Sequence, residues 1–145
     1  MNGDRVFVDT NVLVYAHDLD SGEKHRIAST LLMDIWSHRT GVLSVQVLQE
    51  CYVTLTRKIL HPLPSNAVRG ILQDYFSWQI ELIDPVSVIT ASRIEEEYPI
   101  SFWDALIVTA ALKGKASKVL MEDLQAGRVI EGILIENPFH PVASH

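Results

Sequence analysis

Cysteine is almost missing from this 145-residue chain. Cys51 stands alone, so no internal disulfide framework can form, and a reducing compartment suits it. No apolar run approaches the ~18 residues that a membrane span requires. The opening Met1-Asn2-Gly3-Asp4-Arg5 leads into no signal-like apolar segment. The expectation is a cytoplasmic protein that does not engage a membrane. Repeats, low-complexity tracts and linkers are lacking as well, so 1–145 reads as one domain, long enough to bury a core unaided. Basic excess is the last absence, since 12 Lys and Arg against 18 Asp and Glu leave a net charge of −6. That argues against wrapping nucleic acid by bulk electrostatics. It leaves open a nuclease whose acids hold cations; two divalent ions would bring −6 to about −2.

What is present is alternation. Val6-Phe7-Val8 reads as a buried strand running into Asp9-Thr10-Asn11 and then a helix. A helix follows over 23–38, with Ile27, Leu31, Leu32, Ile35 and Trp36 on one face, and Gly41 ends it. Val42-Leu43-Ser44-Val45 predicts a second strand entering a helix over 45–58, with Leu48, Cys51, Tyr52, Leu55 and Ile59 buried and Glu50 at the border. After the break at Pro62 and Pro64, Ser65 is placed to cap a helix whose apolar face includes Val68, Tyr75 and Phe76. Ile80-Glu81-Leu82-Ile83 predicts a third strand. A helix from Val86 then ends in the solvated acidic run Glu95-Glu96-Glu97. An almost wholly apolar helix starts at Phe102, with Gly114 set for its C-terminal cap. Lys118-Val119-Leu120-Met121 is a fourth strand, and Ile133-Leu134-Ile135 a candidate last one before a peripheral tail. Such alternation favours a parallel sheet of four to five strands covered on both faces.

Four acids are out of keeping with their surroundings. Asp9 ends the first strand, Glu50 lies one to two turns into the helix after the second, Asp104 is in the first turn of the apolar helix, and Asp123 follows the fourth strand. Strand carboxyl ends and the starts of the following helices share one edge of such a sheet, so the fold gathers all four. Gathered carboxylates repel and are costly to bury. Few basic residues lie near them in the sequence, which makes divalent cations the natural compensation. An all-oxygen set suits Mg²⁺ or Mn²⁺, and such ions can activate water for in-line phosphodiester hydrolysis. Blander readings stand beside this one: Asp9 as a turn cap, Asp104 as half of a capping box with Ser101, Glu50 as a surface residue, and Glu122-Asp123 as an acidic turn. The six histidines show no metal-ligand spacing and read as surface residues. Cys51 reads as core, and Trp36, Trp78 and Trp103 as packing. Arg57-Lys58 and the set Lys113, Lys115 and Lys118 read first as solvated helix ends, with contact to a phosphate backbone as the alternative.

Val6-Phe7-Val8-Asp9-Thr10-Asn11-Val12-Leu13 resembles the opening motif of the PIN domain family. Leu48-Gln49-Glu50, Ser101-Phe102-Trp103-Asp104-Ala105-Leu106-Ile107 and Leu120-Met121-Glu122-Asp123 resemble its later acidic motifs, in order and over nearly the whole chain. Within that family a free-standing chain of this length most resembles VapC-type toxins. The resemblance implies a three-layer α/β/α sandwich and an Mg²⁺- or Mn²⁺-dependent endoribonuclease. Carried over by position, Asp9, Glu50, Asp104 and Asp123 are the catalytic and metal-binding acids, with Glu122 able to share or replace the role of Asp123. Thr10 and Asn11 would orient Asp9 or a scissile phosphate, and Ser101 would fix the start of the Asp104 helix. The implied partners are an RNA substrate, a cognate antitoxin and a second copy of the chain in a homodimer. Two alternatives remain: a phosphatase of haloacid dehalogenase type using Asp9 as nucleophile, although Asn11 stands where those enzymes carry a second Asp, and a non-catalytic RNA- or protein-binding module.

Overall fold

In the computed structural model, which describes residues 4–122 and 127–140, strand β1 (Arg5–Val8) lies inside a six-stranded sheet. It pairs in parallel with β2 (Gly41–Ser44) on one side and β4 (Ala116–Leu120) on the other. β3 (Gln79–Glu81) extends the sheet beyond β2, and β6 (Ile133–Glu136) extends it beyond β4, both in parallel. The two-residue β5 (Val129–Ile130) closes that side antiparallel to β6, giving the order β3-β2-β1-β4-β6-β5. The apolar pattern anticipated four or five parallel strands; the added one is too short to carry a periodic signal. Phe7, Val8, Val42, Leu43 and Val119 are fully buried, which is why these strands read as unbroken apolar runs rather than as alternation.

Among the described residues, six α-helices connect the strands: α1 (Thr10–His17), α2 (Glu23–His38), α3 (Val45–Arg57), α4 (Ser65–Asp74), α5 (Pro85–Glu97) and α6 (Phe102–Lys113). α1 packs on α2 and α3, α3 on α4, and α5 on α6. The chain steps from β1 through β2 to β3 in one direction, then returns past β1 to β4. Right-handed crossovers therefore put α1–α4 on one face and α5–α6 on the other. The result is the sandwich of three layers. α6 is apolar nearly all round because residues 105–111 are buried; Thr109, within that run, donates its hydroxyl to the Ala105 carbonyl at 2.8 Å.

Several local expectations change in three dimensions. Leu82 and Ile83 lie beyond β3, 67% and 37% exposed, because the chain turns there into the Asp84–Ser87 capping box that starts α5. Phe76 is exposed: the end of α4 tightens into a 3₁₀ turn (Tyr75–Ser77) that buries Tyr75 and sends Phe76 outward. Ser65 is the first residue of α4, after Pro64 at the cap position, and its hydroxyl accepts a bond from Tyr52 at 3.0 Å. Gly114 has φ −79°, so no left-handed cap explains it; a Cβ there would sit 2.7 Å from Val42 Cγ1. His17 is no surface residue. It shares a 2.7 Å hydrogen bond with the Tyr75 hydroxyl, and burial holds its pKa below the ordinary value. Cys51 is core, its thiol pushed up to about 12 by burial.

Candidate active site

The carboxyl edge of the sheet is where the strands hand over to helices. Asp9 follows β1 directly; its backbone N–H donates to the Leu120 carbonyl at 2.9 Å, fixing it against the end of β4. It is 7% exposed and stands at the cap position of α1, yet its side chain makes no capping bond to that helix. The turn-cap reading therefore does not account for it. After β2, the Ser44 hydroxyl caps α3 by accepting from Val47 N–H at 3.3 Å, which sets one face of α3 over the edge. Gln46, Glu50, Thr54 and Lys58 lie along that face at helical spacing. From the other layer comes Asp104, whose backbone N–H donates to the Ser101 hydroxyl at 3.0 Å. The Ser101 hydroxyl thus caps the first turn of α6.

Asp9 with Asn11, Glu50 and Asp104, from three distant stretches of the chain, line one cavity of about 440 Å³. Thr10 shares that wall, but its hydroxyl donates to Glu50 Oε1 at 2.8 Å, so it orients Glu50. Gln46 Nε2 donates to Glu50 Oε2 at 3.4 Å, while Gln46 Oε1 is a buried acceptor with no hydrogen-bond partner among the described residues. Asp123 lies outside the described residues. Glu122 is engaged elsewhere: it forms an ion pair with Lys24 and accepts the Tyr15 hydroxyl at 2.7 Å. Burial pushes the Glu122 carboxyl up, but the bonds from Lys24 and Tyr15 outweigh it and hold its pKa below the ordinary value.

The sequence pattern passed over two contributors to this wall. Gln46 lies one helical turn before Glu50, a spacing that could have flagged it. Trp103, read as packing, is 64% exposed and lines the same cavity. Lys58, which the sequence suggests first as a solvated helix end, brings a cation to the far end of the α3 face.

The chemistry of this wall suits a hard divalent cation. Its carboxylate, hydroxyl and amide oxygens are the donors Mg²⁺ and Mn²⁺ prefer, and the orphaned Gln46 oxygen adds an acceptor for a hydrated ion. Among the described residues no three acids, imidazoles or thiols converge closely enough to cage an ion by themselves.

Comparison with known proteins places the architecture. The family model described as "PIN domain" matches residues 6–131. Among solved structures, a toxin–antitoxin complex from Klebsiella pneumoniae superposes with a TM-score of 0.67 at 20% identity, covering 92% of this chain and 97% of that one. VapBC from Salmonella typhimurium, solved bound to DNA, gives 0.63 at 18% identity, over 94% and 99% of the two chains. VapC20 of Mycobacterium tuberculosis, described as a toxin that cleaves the sarcin–ricin loop, gives 0.60 at 17% identity, over 79% and 86%. Among curated proteins no sequence matches.

Proposed function

Because the chain belongs to the PIN domain family, we propose that it is an Mg²⁺- or Mn²⁺-dependent endoribonuclease serving as the toxin of a toxin–antitoxin pair. One observation carries this reading: carboxylates from β1, α3 and α6 line a single cavity at the carboxyl edge. Asp9 and Asp104 would be the firmest metal ligands, with Glu50 binding directly or through water and Asp123 completing the set. A bound divalent ion would supply Lewis-acid stabilisation of the phosphodiester and a more acidic water. The chain's own residues do the rest. Thr10 would orient Glu50 through its hydroxyl bond, Ser101 would hold the first turn of α6 and so the placement of Asp104, and Asn11 would offer an amide to a phosphate oxygen.

The partner assignments follow the same reading. An antitoxin is the expected regulator, since the structural neighbours from Klebsiella and Salmonella are described as such complexes. A homodimer has a surface at hand beside the edge strand β3, where Leu82, Val86 and Ile89 are 62–70% exposed. No helix among the described residues is long and apolar enough to cross a membrane, and the expected setting is the cytoplasm. The test is cleavage of total cellular RNA by the purified protein with Mn²⁺, compared with Asp104→Asn. Loss of cleavage and of growth arrest on expression in that variant supports the assignment. An Asp104→Asn protein as active as the parent refutes it.

A further inference from the structure

The exposed indole of Trp103 has no place in metal chemistry, yet it shares a wall with the acids. Tryptophan is seldom left open without a reason, because it carries a large apolar face. The two other tryptophans differ. Trp78 is 8% exposed, and Trp36, at 38%, packs against Tyr75 and Trp78 with ring centroids 4.8 and 5.4 Å away. Trp103 is 64% exposed and touches Phe102 edge to face, centroids 5.4 Å apart and planes at 78°. The half-buried Phe102 packs against the core, so it steadies the indole at the start of α6. Asp104 is the next residue, which ties the position of the ring to that of a proposed metal ligand. Along the α3 side of the cavity, Lys58 lies two helical turns beyond Glu50, about 12 Å along the axis. Lys58 is exposed and forms no ion pair among the described residues.

Taking the ribonuclease reading as its premise, we infer that Trp103 is a base-stacking platform and Lys58 a phosphate contact. Together they make the groove between α3 and the start of α6 a track for an unpaired stretch of RNA. Stacking on a protein ring requires a base that has left its helical neighbours, so the groove selects single-stranded or looped RNA over duplex. At the acidic end of the cavity the strand's phosphates are repelled unless a divalent ion is bound there, as the proposed function requires. Lys58 supplies attraction at the other end, giving the strand a direction across the site. A protein segment laid over the same indole would gain its apolar area but would leave the exposed cations Arg57 and Lys58, about two turns from Glu50, without a role.

The decisive measurement is the affinity of fluorescently labelled A₁₂ RNA, and of the same A₁₂ annealed to U₁₂, for Asp9→Asn protein that cannot degrade the probe. Trp103→Ala in that background should weaken binding of the single strand by about 5- to 150-fold, the range that one base–aromatic stack supplies. Trp103→Phe should recover most of the loss, and Lys58→Gln should flatten the salt dependence. Melting curves of each variant, expected to match the Asp9→Asn protein because the indole is largely solvated, separate a binding defect from unfolding. Equal affinity of Trp103→Ala for the single strand overturns the inference, as does duplex binding as tight as single-strand binding. So does a variant that binds RNA normally but no longer binds its protein inhibitor. Trp103-dependent binding by a parent protein that never cuts RNA in Mn²⁺ upholds the platform while refuting the nuclease.

Discussion

Two glutamates take hydroxyl bonds from opposite ends of α1 and are put to different uses. Glu122 accepts from Tyr15 at 2.7 Å and pairs with Lys24, its side chain only 15% exposed. Glu50 accepts from Thr10 at 2.8 Å, has a neutral amide from Gln46 beside it, and forms no ion pair among the described residues. The protein has neutralised Glu122 itself, so that group clamps α1 and α2 to the end of β4. It has left Glu50 oriented but uncompensated at the wall of a cavity, where a cation can use it. Under the proposed function, nearness to the carboxyl edge does not by itself make an acid a metal ligand; what matters is whether the fold already supplies its counter-charge.

The sharpest way to break that contrast is to neutralise the acids of the cavity. Asp9→Asn should lower RNA cleavage by at least about 10²–10³-fold, read from initial rates in Mn²⁺. Adding Glu50→Gln to it should cost little more, because groups that hold one ion fail together. Glu122→Gln should do the reverse. Cleavage should stay within about threefold of the parent, while stability falls by about 1 kcal/mol, the partly solvated Lys24 being screened. In a chain of this length that is about 2–4 °C of melting temperature, measurable by calorimetry. Activity lost in Glu122→Gln at unchanged stability would instead place Glu122 in the catalytic set.

The smallest effect is a pH dependence. Folded Glu122 titrates below its ordinary 4.5, so the unfolded chain takes up the proton first as pH falls. The clamp's contribution is therefore full above that value and fades as pH drops through the folded-state pKa. Parent and Glu122→Gln melting temperatures should differ at pH 7 and converge in acid. A gap that persists undiminished at pH 3 would assign it to packing.

Much of the site could be read before any coordinates. Asp9 and Asp104 stand out because a carboxylate directly after Val6-Phe7-Val8 or directly before Ala105-Leu106-Ile107-Val108 breaks an otherwise apolar pattern, and Ser101 announces its cap three residues before Asp104. Glu50 was legible only through the order of elements, since on its own it resembles any acid at a helix border. The short β5 and the outward turn of Phe76 could not be read, because neither changes the local apolar period. Trp103 was misread for a related reason: an aromatic in the first turn of an apolar helix has the same composition whether it faces the core or a cavity.

The order of strands and helices, the parallel sheet and the positions of the odd carboxylates were set by the sequence itself, since hydrophobic periodicity and helix caps act over a few residues. Which acid keeps its charge uncompensated, and which ring stays open to solvent, was decided only by tertiary contacts. Lys24 is 98 residues from Glu122 and Thr10 is 40 from Glu50. Electrostatic and solvent environments are made by whatever packs nearby in space, and distance along the chain carries no record of that.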